Sequence, residues 1–244
     1  MQELIYLPIL LFAAFTHGAL GFGFPLIATP LLVLFMPLPA AILLTLIPTV
    51  SINLVSFFTE KHWKQALRAY WPIPAFTIVG SIIGTQLLLS VDPSPFRMLL
   101  ALVLVAYLVT ERLTGSSQEH HLPKWGLALL GLGLGFLAGI VNIFAPVIVV
   151  FALYTRMNPT LMVATFNMSF LTSKSGQIIG FVANDALKAD VVLLTLALVP
   201  LILLCLWLGI RIRRKINQKT YVQLLQGALW LISVALIADG IANI

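Results

Sequence analysis

Residues 18–32 read GALGFGFPLIATPLL, and residues 135–153 read GFLAGIVNIFAPVIVVFAL. In each stretch a long apolar run is interrupted and then resumes at a proline, Pro25 or Pro146. Glycine adopts backbone angles that other residues avoid, and proline removes a backbone hydrogen-bond donor. Each stretch therefore predicts a helix, a break and a second, shorter helix. The same pattern occurs once in each half of the chain.

The composition of the whole chain is that of a membrane protein. Of the 244 residues, 60% are hydrophobic and 9% are charged, whereas a soluble domain is about 45–50% apolar and about 25% charged. A chain of this size cannot bury so much apolar surface in water, which excludes a soluble, a disordered or a disulfide-stabilised protein. The net charge is +6, and most of the basic residues lie in short stretches between the apolar runs. We therefore attribute it to cytoplasmic loops that face anionic lipid, and we expect no nucleic-acid partner.

The apolar runs predict ten membrane segments, because about 20 apolar residues cross a bilayer and the second and seventh runs are half that length. They are Leu4–Leu20, Pro25–Phe35, Pro39–Phe58, Tyr70–Leu89, Pro95–Thr110, Trp125–Val141, Pro146–Thr155, Pro159–Val182, Val191–Gly209 and Tyr221–Ile241. The predicted fold is an all-α polytopic membrane protein with broken helices.

The ten segments divide into two halves of five. We assign residues 1–114 to a first transmembrane repeat, residues 115–123 to a polar linker and residues 124–244 to a second repeat. In each half the third segment begins at a proline, Pro39 or Pro159. The internal similarity is weak, but the order of long, short and long segments is the same in both halves.

The basic loops indicate that the two repeats are inverted. In the first half the basic loop, Lys61–Arg68, follows the third segment, whereas in the second half it follows the fourth segment, at Arg211–Lys219. Basic loops stay in the cytoplasm. If the chain crosses the membrane ten times, both basic loops lie in the cytoplasm and both termini lie outside. If each broken pair of segments counts as a single crossing, there are eight crossings and one of the two basic loops lies outside. Ten segments and inverted repeats are therefore favoured, as in many secondary transporters.

One charged residue lies deep within a predicted segment. Lys174 is eight residues from Val182, which is roughly 12 Å along a helix and farther than its side chain can reach. The carboxylates lie instead at segment ends or in loops: Glu3, Glu60, Asp92, Glu111, Glu119, Asp185, Asp190 and Asp239. A charged side chain in hydrocarbon costs several kcal/mol and therefore usually has a function. A buried cation accordingly favours an anion-binding site. The alternative is that the small polar residues near Lys174 pack helices together and that Lys174 itself reaches toward the headgroups.

The two breaks are the other candidate anion site. A helix that starts at Pro25 or Pro146 directs free N–H groups and its positive dipole end toward the break. The alternative is that the small residues only allow close packing. The candidate substrate-binding residues are Gly21, Gly23, Pro25, Thr49, Asn53, Asn142, Pro146, Asn167, Ser173, Lys174 and Gln177. His17 precedes the first break by one turn, and it is either a proton-linked group or a packing histidine.

The quoted stretches, together with YTRMNPTLMVATFNMSF at residues 154–170, resemble the glycine-rich motifs of the sulfite exporter TauE/SafE family. The likeness covers essentially the whole chain, and Pro146 and Asn167 fall on matching positions of the family pattern. The family's usual G-x-G-G-G is Gly21-Phe22-Gly23-Phe24-Pro25 in this chain, and its second turn is Asn142-Ile143-Phe144-Ala145-Pro146, so that bulky phenylalanine and isoleucine replace small residues. The resemblance implies a bacterial inner-membrane transporter of small anions, often sulfur oxyanions or organosulfonates.

The predicted function is secondary transport of a small anion by alternating access. A channel and a non-transporting membrane assembly protein are the alternatives. The sequence has no G-x-S-x-G, H-E-x-x-H or P-loop motif, so we expect no enzymatic activity. We also expect no cofactor and no metal ion. The expected partners are the anionic substrate and the lipid bilayer, and a homo-oligomer is left open.

Overall fold

The computed structural model describes residues 3–59, 63–110, 122–155 and 157–213, together with residues 226–227, 230, 233–234 and 237–238. Every secondary-structure element defined within these residues is an α-helix. The helices are α1 (Glu3–Leu20), α2 (Phe24–Val33), α3 (Leu38–Thr59), α4 (Trp63–Tyr70), α5 (Pro72–Ser90), α6 (Ser94–Thr110), α7 (Lys124–Val141), α8 (Ala145–Tyr154), α9 (Pro159–Ala183) and α10 (Ala189–Ile212).

The helices follow the predicted segments closely. Nine of the ten predicted segments coincide with a helix to within three residues at either end. The tenth prediction, Tyr221–Ile241, and the polar linker lie mostly outside the described residues. The short helices α2 and α8 have 10 residues each, or about 15 Å, which is half of a hydrocarbon core of about 30 Å.

The structure corrects the prediction of a basic loop after α3. Residues 63–70 form the short helix α4, in which only Ala66 is buried. The ring of Trp63 packs against Phe57, with 5.4 Å between the ring centroids. Apolar contacts on one side and lysine and arginine on the other stabilise a helix where charge alone suggested a loop.

Four of the described helices are long and apolar enough to cross a membrane. These helices are α3, α5, α7 and α10. Shorter apolar helices occur at Tyr6–Leu20, Phe24–Val33 and Ser94–Ala106. The fold is therefore that of a multi-pass helical membrane protein.

Helices of one half pack mainly against helices of the other. The helix α1 packs along α10, and α5 packs along α7. The long polar helix α9 lies against α3 and α5, and α10 also contacts α3. The interior of the protein is thus built from both halves, with α3 and α9 at its centre.

The helices α5 and α7 approach each other so closely that glycine is required at the contact. A Cβ atom on Gly135 would lie 2.2 Å from the carbonyl oxygen of Thr77, a backbone atom that cannot move aside. Small residues at such positions are a common feature of helix contacts in membranes.

We expect Gly135→Ala to lower the free energy of unfolding by about 1–3 kcal/mol, because overpacking forces the helices apart. Gly133, two residues earlier, is a matched control, since nothing lies within 4 Å of its added Cβ. Thermal unfolding in detergent should therefore show a lower melting temperature for Gly135→Ala but not for Gly133→Ala. Equal melting temperatures would contradict the close approach.

Both predicted breaks are present. Gly21 and Gly23 have φ angles of 90° and 107°, and Asn142 has a φ of 64°. These left-handed conformations suit glycine and are tolerated by asparagine. They turn the chain out of α1 and α7 and into the half-length helices α2 and α8.

Candidate functional site

The buried amine of Lys174 is the centre of a polar network. Lys174 in α9 is 0% exposed. Its Nζ donates a hydrogen bond to Oδ1 of Asn142 and another, of 2.6 Å, to Oε1 of Gln177. Gln177 Nε2 in turn donates to the carbonyl oxygen of Ala138 at 2.6 Å. The end of α7 and the middle of α9 are therefore joined through one ammonium group.

Asn142 connects this ammonium group to the first half of the chain. Its Nδ2 donates to Oγ1 of Thr29 in α2 at 2.8 Å and to Oγ1 of Thr45 in α3 at 3.0 Å. The left-handed conformation of Asn142 lets its side chain point into the bundle while its backbone N–H caps α7 on Ala138. The second break thus joins four helices at one side chain. We call Thr29, Thr45, Asn142, Lys174 and Gln177 the lysine network.

The charge of Lys174 has no counter-ion among the described residues. Both of its hydrogen-bond partners there are neutral amide oxygens. An ammonium group removed from water is stabilised by amide oxygens only in part. A small anion that reached this amine would supply the missing charge.

A second cluster surrounds the first break. The Nδ1 atom of His17 accepts a hydrogen bond from the backbone N–H of Phe24 at 3.3 Å, at the start of α2. Its Nε2 lies 3.1 Å from Oγ of Ser56. Asn167 Nδ2 donates to the carbonyl oxygen of Gly21 at 3.1 Å. The first break is therefore held by side chains of α1, α3 and α9.

The helix α9 contacts both breaks. Phe166 packs edge-on against Phe22 of the first break, with 5.2 Å between ring centroids, and Phe170 stacks on Phe144 of the second break at 4.1 Å. Asn167 and Lys174 are seven residues apart in α9, or about 10 Å along the helix. The phenylalanines of the two breaks thus pack against phenylalanines of α9. The polar residues Asn167 and Lys174 lie on the same helix, close to these contacts.

The structure separates the predicted site residues into three groups. Asn142, Lys174 and Gln177 belong to the lysine network, whereas His17, Gly21 and Asn167 lie at the first break, with Gly23 and Pro25 beside them at the start of α2. Pro146 is the second residue of α8. The side chains of Thr49, Asn53 and Ser173 donate to carbonyl oxygens of their own helices at 2.6, 2.7 and 2.8 Å.

Four residues outside the predicted set take part in the candidate site: Thr29 and Thr45 in the lysine network, and Ser56 and Arg213 at the first break. Thr29 follows the first break by one and a half turns, and Arg213 follows α10. The proline-rich stretch around Thr29 gave no polar pattern to single it out. Arg213 belonged to a run of basic residues that the positive-inside rule already explained. Only the packing of α10 along α1 brings it to the first break.

The described residues contain no group of three or more histidine, cysteine, aspartate or glutamate side chains that could hold a metal ion. The polar groups of the site are amides, hydroxyls, an imidazole, an ammonium and a guanidinium. Such donors bind anions by charge-assisted hydrogen bonds.

The fold is that of a multi-pass helical membrane protein with a lysine buried in its interior. The model of the sulfite exporter TauE/SafE family matches residues 6–236. The chain therefore belongs to this family, whose members are membrane transporters of sulfur compounds, and the predicted resemblance is confirmed. Neither the comparison with curated proteins nor the comparison with solved structures gives a match.

Proposed function

We propose that the protein is a secondary transporter that moves a small anion, a sulfur oxyanion or an organosulfonate, across the bacterial inner membrane by alternating access. The observation that carries the proposal is the buried amine of Lys174, held by two neutral amide oxygens. Family membership supports the sulfur chemistry of the substrate. The absence of an internal counter-ion among the described residues supports its negative charge.

The substrate anion binds where Asn142, Gln177 and Lys174 meet. An ammonium group has three N–H donors, and two of them are directed to Asn142 and Gln177. The anion accepts from the third donor. Because the amine is fully enclosed in this conformation, the site must open to one side of the membrane before the anion enters.

Two inverted repeats supply the movement. The packing of α1 on α10 has a counterpart in the packing of α7 on α5, since the first segment of each half meets the fourth segment of the other. The contacts of α5 with α9 and of α10 with α3 form a second such pair. Exchange of contacts between halves supports a two-fold relation, and rocking of one half against the other then exposes the site alternately.

The positions of the helix ends support ten crossings. Ser56 near the end of α3 and Arg213 just after α10 line the same cavity, so the chain enters both basic segments from one face of the protein. The positive-inside rule makes this face cytoplasmic. An active cytoplasmic-only reporter fused after Ile244 would contradict this orientation, which places both termini outside.

A binding and flux experiment tests the proposed function. Purified protein in detergent is heated with sulfite, sulfate, thiosulfate, an organosulfonate or a carboxylate, and the same anions are then assayed for uptake into proteoliposomes. A ligand at 100 times its Kd should stabilise the fold by about 2.7 kcal/mol. We expect a sulfur-containing anion to raise the melting temperature and to show saturable uptake.

The other outcomes discriminate the alternatives. Flux that does not saturate and that exceeds transporter rates would indicate a channel. No stabilisation and no flux with any of these anions would contradict transport and favour an assembly protein.

A further inference from the structure

A cavity of about 170 Å³ lies beside the first break, away from the lysine network. It is lined by His17, Gly18, Gly21, Ser56, Thr59, Ile210 and Arg213. His17 and Ser56 are buried, whereas Thr59 and Arg213 are exposed. The cavity therefore has a closed polar floor and an open rim that carries a positive charge.

The hydrogen bonds of the floor determine which of its groups can donate. A backbone N–H can only donate, so Nδ1 of His17, which accepts from Phe24, carries no proton. The neutral imidazole then has its proton on Nε2, and Nε2 donates to Oγ of Ser56. The hydroxyl hydrogen of Ser56 has no acceptor among the described residues, and it can be donated to a guest in the cavity.

At the rim of the cavity the guanidinium group of Arg213 lies beside the backbone of Gly21. A Cβ atom on Gly21 would lie 3.4 Å from each of the two terminal nitrogens of Arg213. The absence of a side chain at Gly21 thus leaves room for the guanidinium beside the break. Its planar N–H groups can hold two oxygens of one anion at once. Among the described residues that line the cavity there is no carboxylate to compete for them.

We propose that this cavity is a second anion site, which binds a small inorganic oxyanion between the Arg213 guanidinium and the Ser56 hydroxyl. The binding stands on the cavity alone. The further role of the cavity, as a site that the anion occupies before it reaches Lys174, rests on the proposed transport function. Gly21, on the cavity wall, is joined to Asn167 of α9, and Lys174 lies two turns farther along that helix.

The dimensions of the cavity determine the class of ligand. Pockets for drug-sized organic ligands have volumes of about 300–1,000 Å³, and this cavity is smaller at about 170 Å³. The described lining contains a single large apolar side chain, Ile210. The site therefore fits a sulfate or sulfite ion with a few waters, and it offers little surface to an aromatic sulfonate.

Titration calorimetry of the full chain in detergent tests the proposal, with sulfate and benzenesulfonate as probes. Arg213→Gln removes the guanidinium at the cavity. Arg211→Gln is the matched control, because Arg211 is two residues away and lies over the ring of Trp207, 4.3 Å from its centroid. We expect Arg213→Gln to weaken sulfate binding by about tenfold or more, and Arg211→Gln to change it by less than about twofold.

The same pair of variants is measured in a Lys174→Met background, which leaves only the cavity site. Sulfate binding that persists there and is lost with Arg213→Gln supports the second site. Equal binding by the two arginine variants, or tighter binding of benzenesulfonate than of sulfate, would overturn it. Complete loss of sulfate binding in Lys174→Met alone would also overturn it, while leaving the proposed function intact.

A structural role for Arg213 is tested separately. If Arg213→Gln does not fold, Arg213→Lys keeps the charge but loses the planar pair of donors. The Arg213→Lys variant should bind sulfate less tightly than the wild-type chain. In the Lys174→Met background it should bind sulfate more tightly than Arg213→Gln does. Affinity identical to that of the wild-type chain would contradict two-oxygen recognition by the guanidinium.

Discussion

The Asn142→Asp variant is expected to fold and to lose anion transport. Aspartate has nearly the shape of asparagine and tolerates the left-handed backbone of this position, where φ is 64°. Its carboxylate would contact the Lys174 amine, which now contacts Oδ1 of Asn142. Hydroxyl groups rotate to suit their partners, so Thr29 and Thr45 can donate to the carboxylate where they now accept from the amide.

The loss should be large because the protein would then carry its own counter-ion. Close charge pairs in sites that exclude water couple by roughly 1.5–7 kcal/mol, and an anion from solution would compete against that energy. We expect its affinity to fall by about 100-fold or more. Uptake into proteoliposomes and stabilisation by sulfite or sulfate are the measurements.

Asn142→Gly is the matched control for this substitution. Glycine keeps the left-handed conformation and removes the bridging side chain without adding charge. It should bind the anion measurably, although more weakly than the wild-type chain. Equal loss in the glycine and aspartate variants would show that Asn142 acts only by bridging helices, and wild-type uptake by Asn142→Asp would contradict an anion site at Lys174.

The second large effect is expected for Lys174→Met. Methionine fills much of the same space and has no charge, so binding loses a charge-assisted hydrogen bond worth about 1.5–3 kcal/mol, or about 10- to 100-fold in affinity. The amide oxygens of Asn142 and Gln177 lose their donor, but the protein no longer buries a charge. The two effects oppose each other, so the melting temperature without ligand should change little.

Lys188→Met makes the same change at an exposed lysine that precedes α10. It should leave uptake and ligand-induced stabilisation as they are in the wild-type chain. Unchanged affinity and uptake in Lys174→Met would refute the role of Lys174. A collapse of the melting temperature with unchanged affinity in the folded fraction would make Lys174 a structural residue.

The sequence predicts most of this fold because hydrocarbon imposes simple rules on it. Helix lengths follow from the thickness of the bilayer. The first break follows from Gly21, Gly23 and Pro25, and the second from Asn142 and Pro146. The helix α4 was missed because hydropathy ignores a short amphipathic helix at the surface. There the aromatic contacts of Trp63 stabilise what charge alone does not predict.

The site was predictable only where one residue broke a strong rule. Lys174 stands out because a cation in the middle of an apolar helix is costly, whereas threonines and serines do not stand out, since many of them bond to their own helix. Thr45 and Thr49 are only four residues apart in α3, and yet only Thr45 meets Asn142. That difference depends on how α3 is rotated against the second half, which no local pattern encodes.

The pairing of α1 with α10 has a consequence for the synthesis of the chain. The helix α1 leaves the ribosome well before α10, so it acquires its main partner only after the helices between them have been made. Until then Gly18, whose added Cβ would meet the backbone of α10, faces lipid or a temporary neighbour. Contacts between such distant parts of a chain form slowly, so the order of insertion into the membrane, and not the stability of either half, sets the time at which a closed site first exists.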